Sequence, residues 1–358
     1  MENRYCIIMS GGVGSRFWPF SRTSCPKQFL DFFGTGRTLL QMTYDRIARI
    51  LPPSNIFIVT NQEHASITYE QLPEVAHDHI LLETQRRNTA LCIAWATYHI
   101  RKLNHEALML VAPCDHIIFR EEEFARTIER GFEFVKTHNS LMTIGITPKR
   151  PETGYGYIQV GEPLDNGVCH VKTFVEKPDY DMAKVLVDSG EFYWNSGMFL
   201  WNARTIIDAY EKYMPEVATL FDNIEESILT DKEQDAVGHL YEQCLNISID
   251  FAIMEHASNV SVICADLGWS DLGTWGGLYE ISPKTQDGNV TQRCKTLMYE
   301  SHNNLVAVRG DKLVVVDGLD NFLIAEADNV LLICPRDNEK RIRQFVNDAQ
   351  VKFDGKYN

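Results

Sequence analysis

The first half of the chain alternates short apolar runs with amphipathic stretches of helical period, and this rhythm limits the fold more than any other feature. The runs "RYCIIMS", "NIFIVT", "HILLE", "ALMLVAP" and "LMTIGI" have the length of buried strands, and segments such as Arg87–Leu103 and Glu121–Thr137 carry apolar residues at helical spacing between them. That alternation predicts an α/β fold with a mainly parallel sheet and helices on both faces. Beyond Pro148 the rhythm changes to "GYGYIQV", "VKTFVEKP" and "YWNSGMFLWN", then to helical stretches from Arg204 to Tyr241. From about Gln286 short strands separated by turn residues lead to a charged final helix, so a boundary is expected there, dividing residues 1–285 from a small β-rich part at 286–358.

In parallel α/β sheets ligands bind beyond the carboxyl ends of the strands. Three strand ends here carry chemistry: the loop "SGGVGSRFWPFSRTSCPKQ" after the first, Glu83 after the third and Asp115 after the fourth. Gly11, Gly12 and Gly14 let backbone N–H groups approach a ligand closely, Ser10 and Ser15 flank them, and Arg16, Arg22 and Lys27 supply positive charge, which suits a polyphosphate. A Walker A loop would need GxxxxGK[ST], which is missing. A dinucleotide fingerprint would need a glycine where Phe17 stands and an acid after "NIFIVT", so an oxidoreductase is the weakest reading.

Charge narrows the partners. With 34 Lys+Arg against 49 Asp+Glu the formal net charge is −15, which disfavours nucleic acid and anionic membrane surfaces, so an anionic ligand must be small and locally met. No run is long enough to span a membrane, "MENRY" leads directly into a strand, and the nine cysteines are scattered without CxxC pairing, so a cytoplasmic protein with reduced thiols is expected. The eleven histidines show no zinc-ligand spacing.

The loop pattern Gly11-Gly12-x-Gly14-x-Arg16, with Pro19 and then Pro26-Lys27-Gln28, resembles the N-terminal signature of sugar-nucleotide pyrophosphorylases. The resemblance extends in order through "RNTA" at Arg87, "PCDHII" at Pro113, "PETGYGYI" at Pro151, "FVEKP" at Phe174, "WNSGMF" at Trp194 and "SIDFAIMEH…GWSDLGTW" from Ser248 to Trp275. As a whole the chain is similar to the mannose-1-phosphate guanylyltransferases over about residues 5–280. The segment "LLETQRRNTAL" departs from the family in lacking the usual proline and glycine before "RNTA" and a proline after it.

The resemblance implies a Rossmann-like mixed, mainly parallel sheet of the nucleotide-diphospho-sugar transferase type. It also implies transfer of GMP from GTP to mannose 1-phosphate, with release of pyrophosphate. Within it, Asp115 and Asp271 are implied as ligands of Mg²⁺, and Arg16 and Lys27 as the catalytic cations. Ser10, Gly11, Gly12, Gly14 and Ser15 are implied on the nucleotide phosphates, and Glu83, Asn88 and Thr89 on the base. Gly154, Glu176, Lys177 and Asn195 are implied on the sugar phosphate. Asn88 is equally well placed to cap a helix. Glu176 and Lys177 are neighbours and would face opposite sides of a strand, so both reach a ligand only at a bulge or strand end. The tryptophans read as core or rim packing. A chain of this length has no room for the isomerase domain that some relatives carry, so one activity is expected, and a homodimer is compatible with it. The competing readings are another sugar-1-phosphate nucleotidyltransferase and a non-catalytic nucleotide-sugar sensor, the latter disfavoured by the joint presence of Lys27, Asp115 and Asp271.

Overall fold

The computed structural model describes residues 3–12 and 14–357, and of Ser15 the backbone alone. The strands of the first half are β1 (Arg4–Ser10), β2 (Ile56–Asn61), β3 (Ile80–Glu83), β4 (Leu108–Pro113), the short β5 (Ile117–Ile118) and β6 (Leu141–Ile146). Then come β7 (Gly156–Pro163), β8 (Val168–Glu176), β9 (Phe192–Asn202), β10 (Val260–Ala265) and the short β11 (Trp269–Ser270). Nine of these form one sheet in the order β3-β2-β1-β4-β9-β6-β10-β8-β7. The four strands β3-β2-β1-β4 are parallel throughout. β9 then enters antiparallel between β4 and β6, and β7 and β8 are antiparallel as well, so the parallel character expected from the sequence holds for β3-β2-β1-β4 and for the β6–β10 pair rather than the whole sheet.

Strand alternation assigns the two faces. Tyr5 and Ile7 of β1 pack under α3 (Asn88–Leu103), whereas Cys6 and Ile8 pack on the opposite side with α1 (Leu39–Ala48). The remaining helices are α2 (Ala65–Gln71), α4 (Glu121–Thr137), α5 (Tyr180–Ser189), α6 (Ala203–Tyr213), α7 (Pro215–Asn223), α8 (Glu233–Gln243), α9 (Trp275–Ile281) and α10 (Ile342–Lys352). Helix α3 is buried at every position from Ala90 to Ile100, because α6, α7 and α8 cover the side that the sheet does not.

After α9 the chain forms β12 (Val290–Gln292), β13 (Lys295–Tyr299), β14 (Leu305–Val308), β15 (Leu313–Asp317), β16 (Phe322–Ala327) and β17 (Val330–Pro335). Strands β12, β14 and β16 stack in parallel, as do β13 and β15, so successive turns of chain lie one on another. This stack shares one apolar core with the glycine-loop segment. Phe17, Trp18, Phe20 and Phe32 pack with Trp275, Leu305, Leu323 and Ile342, and Trp275 Nε1 donates to the Trp18 carbonyl at 3.2 Å. Arg22 belongs to this junction and not to a phosphate site: its Nη2 donates to the Ala327 carbonyl and to Asn329 Oδ1, both at 3.1 Å. The cation that looked available to a ligand is spent on tying the loop to the C-terminal strands.

Candidate active site

The end of the crevice beside β1 is built from backbone. β1 ends at Ser10, which is buried, and its carbonyl accepts from Thr60 Oγ1 and Gln28 Nε2. Gly11 and Gly12 then pass the two strand-end acids: a Cβ on Gly11 would lie 3.7 Å from Glu83 Oε2, and one on Gly12 3.6 Å from Asp115 Oδ2. Gly14 has φ +61°, and a Cβ there would meet Lys27 Cβ at 2.7 Å and Cγ at 2.8 Å. Glycine is thus demanded twice, by the left-handed backbone and by the approach of Lys27. Gly14→Ala is expected to lower stability by about 1–2 kcal/mol from the backbone alone, and to lower turnover by displacing Lys27. Thermal melting and steady-state kinetics check this, and wild-type values in both would show that the loop tolerates the change.

Lys27 opens a short 3₁₀ turn after Pro26 and is buried. Its Nζ lies 3.0 Å from Asp115 Oδ2 and donates to the Asp271 and Leu272 carbonyls at 2.8 and 3.2 Å, one oxygen for each of its three donors. The ammonium therefore joins the loop after β4 to the loop after β11. Burial pushes the Asp115 carboxyl upward, but Lys27 and His116 outweigh it and hold Asp115 below its usual range, ionised. Asp271 Oδ1 accepts from Tyr155 Oη at 2.5 Å and from the Gly273 N–H at 3.1 Å. Tyr155 stands edge-on to Trp194 and Trp269 at 5.1 and 5.3 Å. Trp269 Nε1 donates to His116 Nδ1 at 3.2 Å, and His116 Nε2 lies 3.5 Å from Asp115 Oδ1. Asp115 and Asp271 are thus oriented from behind by one connected set of side chains. Asp115 and Asp271 are hard oxygen donors of the kind that Mg²⁺ takes, one or two carboxylates with substrate oxygens and water completing the shell, and an ion held there would share Asp115 with the Lys27 ammonium.

Arg16 is exposed at the mouth of the loop. The Ser15 side chain lies outside what the structure describes.

Glu83 ends β3, is buried, and accepts from Tyr241 Oη on α8 at 3.0 Å. Burial pushes its carboxyl up to about 7, against the pull of Tyr241 and Arg86. Asn88 does not cap α3 as one reading of the sequence had it. Arg87 holds the cap position without a side-chain bond, while Asn88 sits at φ 66° with its Oδ1 accepting from the adjacent Thr89 N–H. Thr89 Oγ1 accepts from the Ile249 N–H at 3.0 Å, tying the start of α3 to the segment before Asp250.

β8 stops at Glu176 and Lys177 takes φ 45°, so the strand end required for both side chains to turn to one side is present. They form an ion pair. Gly156, opposite Glu176, gives it room, since a Cβ there would lie 2.5 Å from Glu176 Oε2. Asn195 Oδ1 accepts from Thr143 Oγ1 at 2.9 Å, and its Nδ2 donates to Asp250 Oδ1 at 2.7 Å. Gly154 lies in the turn before Tyr155, its N–H donating to Glu152 Oε1 at 3.2 Å.

Four residues here had no role in the sequence reading. Asp250, Tyr155 and His116 lie inside the quoted motifs, and their roles come only from what they touch. Asp250 opens a single π-helical turn, Asp250–Met254, and is pushed up to about 6 by burial and then by the Glu176 carboxylate. Tyr241 lies in no motif, and no local signal points to it.

Comparison with known proteins shows the family. The sequence family described as nucleotidyl transferase matches residues 5–288. A mannose-1-phosphate guanylyltransferase of Escherichia coli is 34% identical over 362 residues, which cover 99% of this chain and 74% of that one. The alginate biosynthesis protein AlgA of Pseudomonas aeruginosa is 36% identical over 351 residues, covering 97% and 72%. A crystal structure from Thermus thermophilus, described as a mannose-1-phosphate geranyltransferase, superposes with a TM-score of 0.87 at 26% identity over 97% of this chain and 99% of that one.

Proposed function

Because the chain belongs to the nucleotidyl transferase family, we propose that it transfers GMP from GTP to α-D-mannose 1-phosphate, forming GDP-mannose and pyrophosphate. The observation that carries this reading is the Lys27 ammonium bound to Asp115 and to the Asp271–Leu272 backbone beside the glycine loop. A phosphate oxygen of the sugar phosphate attacks the α-phosphorus of GTP while the bond to the β-phosphate breaks and pyrophosphate leaves. A phosphate monoester has its second pKa near 6, so the nucleophile arrives deprotonated and needs no general base. What remains for the protein is alignment and neutralisation of charge.

The N–H groups around Gly11, Gly12 and Gly14 face the nucleotide phosphates, with Arg16 at the mouth. Lys27 serves the α-phosphate by exchanging one of its three protein oxygens for a ligand oxygen. Asp115 and Asp271 would hold Mg²⁺, which when bound neutralises phosphate charge. Glu83 accepts from guanine, while Glu176 and Asn195 bind sugar hydroxyls and Lys177 binds the sugar phosphate. We add Asp250 to this sugar set, on the strength of its bond to Asn195.

Residues 1–285 carry the chemistry in this proposal, and 286–358 form a small domain that braces the glycine loop through the shared core. The nine unpaired thiols support a cytoplasmic setting, and among the described residues no helix is long and apolar enough to cross a membrane. A pyrophosphate-release assay across the four nucleoside triphosphates and several hexose 1-phosphates tests the assignment. The expected outcome is the highest kcat/KM for GTP with mannose 1-phosphate. A different preferred pair would reassign the substrates within the family, and release with no pair would favour a sensor.

A further inference from the structure

We propose that Tyr241 is a positioning residue for base selectivity, acting through Glu83. The inference rests on the reading of Glu83 as the acceptor for guanine. Tyr241 is fully buried, and its hydroxyl donates to Glu83 Oε1 at 3.0 Å, while Glu83 Oε2 points toward Gly11 and the crevice. One carboxylate oxygen is held from the protein interior and the other is presented to the ligand side.

Helix α8, which carries Tyr241, is braced independently of that bond. Its first residue, Glu233, is buried and takes Trp95 Nε1 at 2.8 Å, His99 Nδ1 at 2.7 Å and the Leu229 N–H at 2.8 Å. Gln234 Nε2 donates to the Leu82 carbonyl in β3 at 2.6 Å, and Arg87 Nε donates to the Tyr241 carbonyl at 3.1 Å. Trp95 also meets the Tyr241 ring edge-on at 6.1 Å. The helix is fixed both to α3 and to the strand that ends in Glu83, so the hydroxyl is set in place before any nucleotide arrives.

The chemistry of the base explains why that matters. Guanine presents N1–H and N2–H₂, two donors that need an ionised carboxylate. With Oε1 held by Tyr241, a protonated carboxyl turns a hydroxyl donor toward the ligand in place of an acceptor, which opposes the N1–H of guanine and suits the N1 acceptor of adenine instead. The titratable groups facing Glu83 are Tyr241, Arg86 and Cys92. Tyr241 and Arg86 favour the ionised acceptor form against burial, which has pushed Glu83 up to about 7. Below that pH the site loses its match to guanine, and without the tyrosine hydroxyl the loss moves to higher pH.

The test measures kcat/KM for GTP and ATP between pH 6 and 8.5 in wild type, Tyr241→Phe, Glu83→Gln and the double variant. The ratio of the two nucleotides cancels the titration of their phosphates. In wild type the GTP preference is expected to fall as pH drops through about 7. In Tyr241→Phe, KM for GTP should rise about tenfold near pH 7.5, as expected for loss of a hydrogen bond to a charged group, with kcat within about twofold and the fall displaced upward in pH. Adding Tyr241→Phe to Glu83→Gln should change the preference by less than about twofold, because an amide at position 83 can still accept from the hydroxyl but carries no charge for it to stabilise and does not titrate.

Equal effects of Tyr241→Phe in both backgrounds would overturn the proposal while leaving Glu83 as the base reader. An unchanged preference in Glu83→Gln would overturn the base reading and the proposal with it. Should Tyr241→Phe fail to fold, a fluorinated tyrosine at position 241, whose more acidic hydroxyl is a stronger donor, should move the fall in GTP preference to lower pH, and a KM for GTP and a pH profile both unmoved from wild type would overturn the proposal while leaving Glu83 as the base reader.

Discussion

Asp271→Asn is expected to slow turnover by about a hundredfold or more without loss of the fold. The asparagine oxygen can still accept from Tyr155 Oη and the Gly273 N–H, the two bonds that Asp271 Oδ1 makes now. What disappears is the negative charge and the second oxygen, which are what a divalent cation would use. The melting temperature should therefore stay within a few degrees of wild type while kcat collapses, and the Mg²⁺ concentration for half-maximal rate should rise. Near-normal turnover at saturating Mg²⁺ would remove Asp271 from the metal site.

Lys27→Met should act on chemistry and stability together. The ammonium is held by Asp115 and two carbonyls, so its removal leaves a carboxylate and two backbone acceptors without their donor. Breaking a fully buried ion pair costs about 3–5 kcal/mol. Asp115 keeps 28% of its side-chain exposure, so water can replace part of the loss, and about 2 kcal/mol is expected. On kinetics, the charge on the α-phosphate and the departing pyrophosphate grows toward the transition state, so kcat should fall by about 10²–10³ with a smaller rise in KM for GTP. Denaturant unfolding and steady-state rates separate the two effects. A rise in KM alone would mean that Lys27 binds ground state and transition state equally.

The sequence was most informative where the signal is local. Buried strands β1 to β4 and β6 follow from short apolar runs, and the glycine loop, Glu83 and Asp115 follow from strand ends in a parallel sheet. The entry of β9 between β4 and β6 could not be read the same way, because pairing direction is decided by partners far apart in the chain. Arg22 looked like a ligand cation because its spacing from Gly14 and Lys27 carries no information about the strands it meets some 300 residues later. Lys177 illustrates a condition that could be stated in advance and answered only by backbone geometry, the positive φ at the end of β8. Tyr241 and Asp250 were out of reach for another reason: their roles lie wholly in the groups they touch, Glu83 for one and Asn195 for the other.

Direct transfer between two phosphates, with the protein supplying only alignment and charge, is tested most sharply by following the transferred atom. GTP radiolabelled at the α-phosphorus is mixed with enzyme in excess, Mg²⁺ and mannose 1-phosphate, and the reaction is quenched in denaturant at successive times. The label should pass from GTP to GDP-mannose with no acid-stable or base-stable label on the protein at any time, because among the described residues no side chain in the crevice is set up as a nucleophile. Label trapped on the polypeptide, or pyrophosphate released without labelled GDP-mannose, would contradict the account.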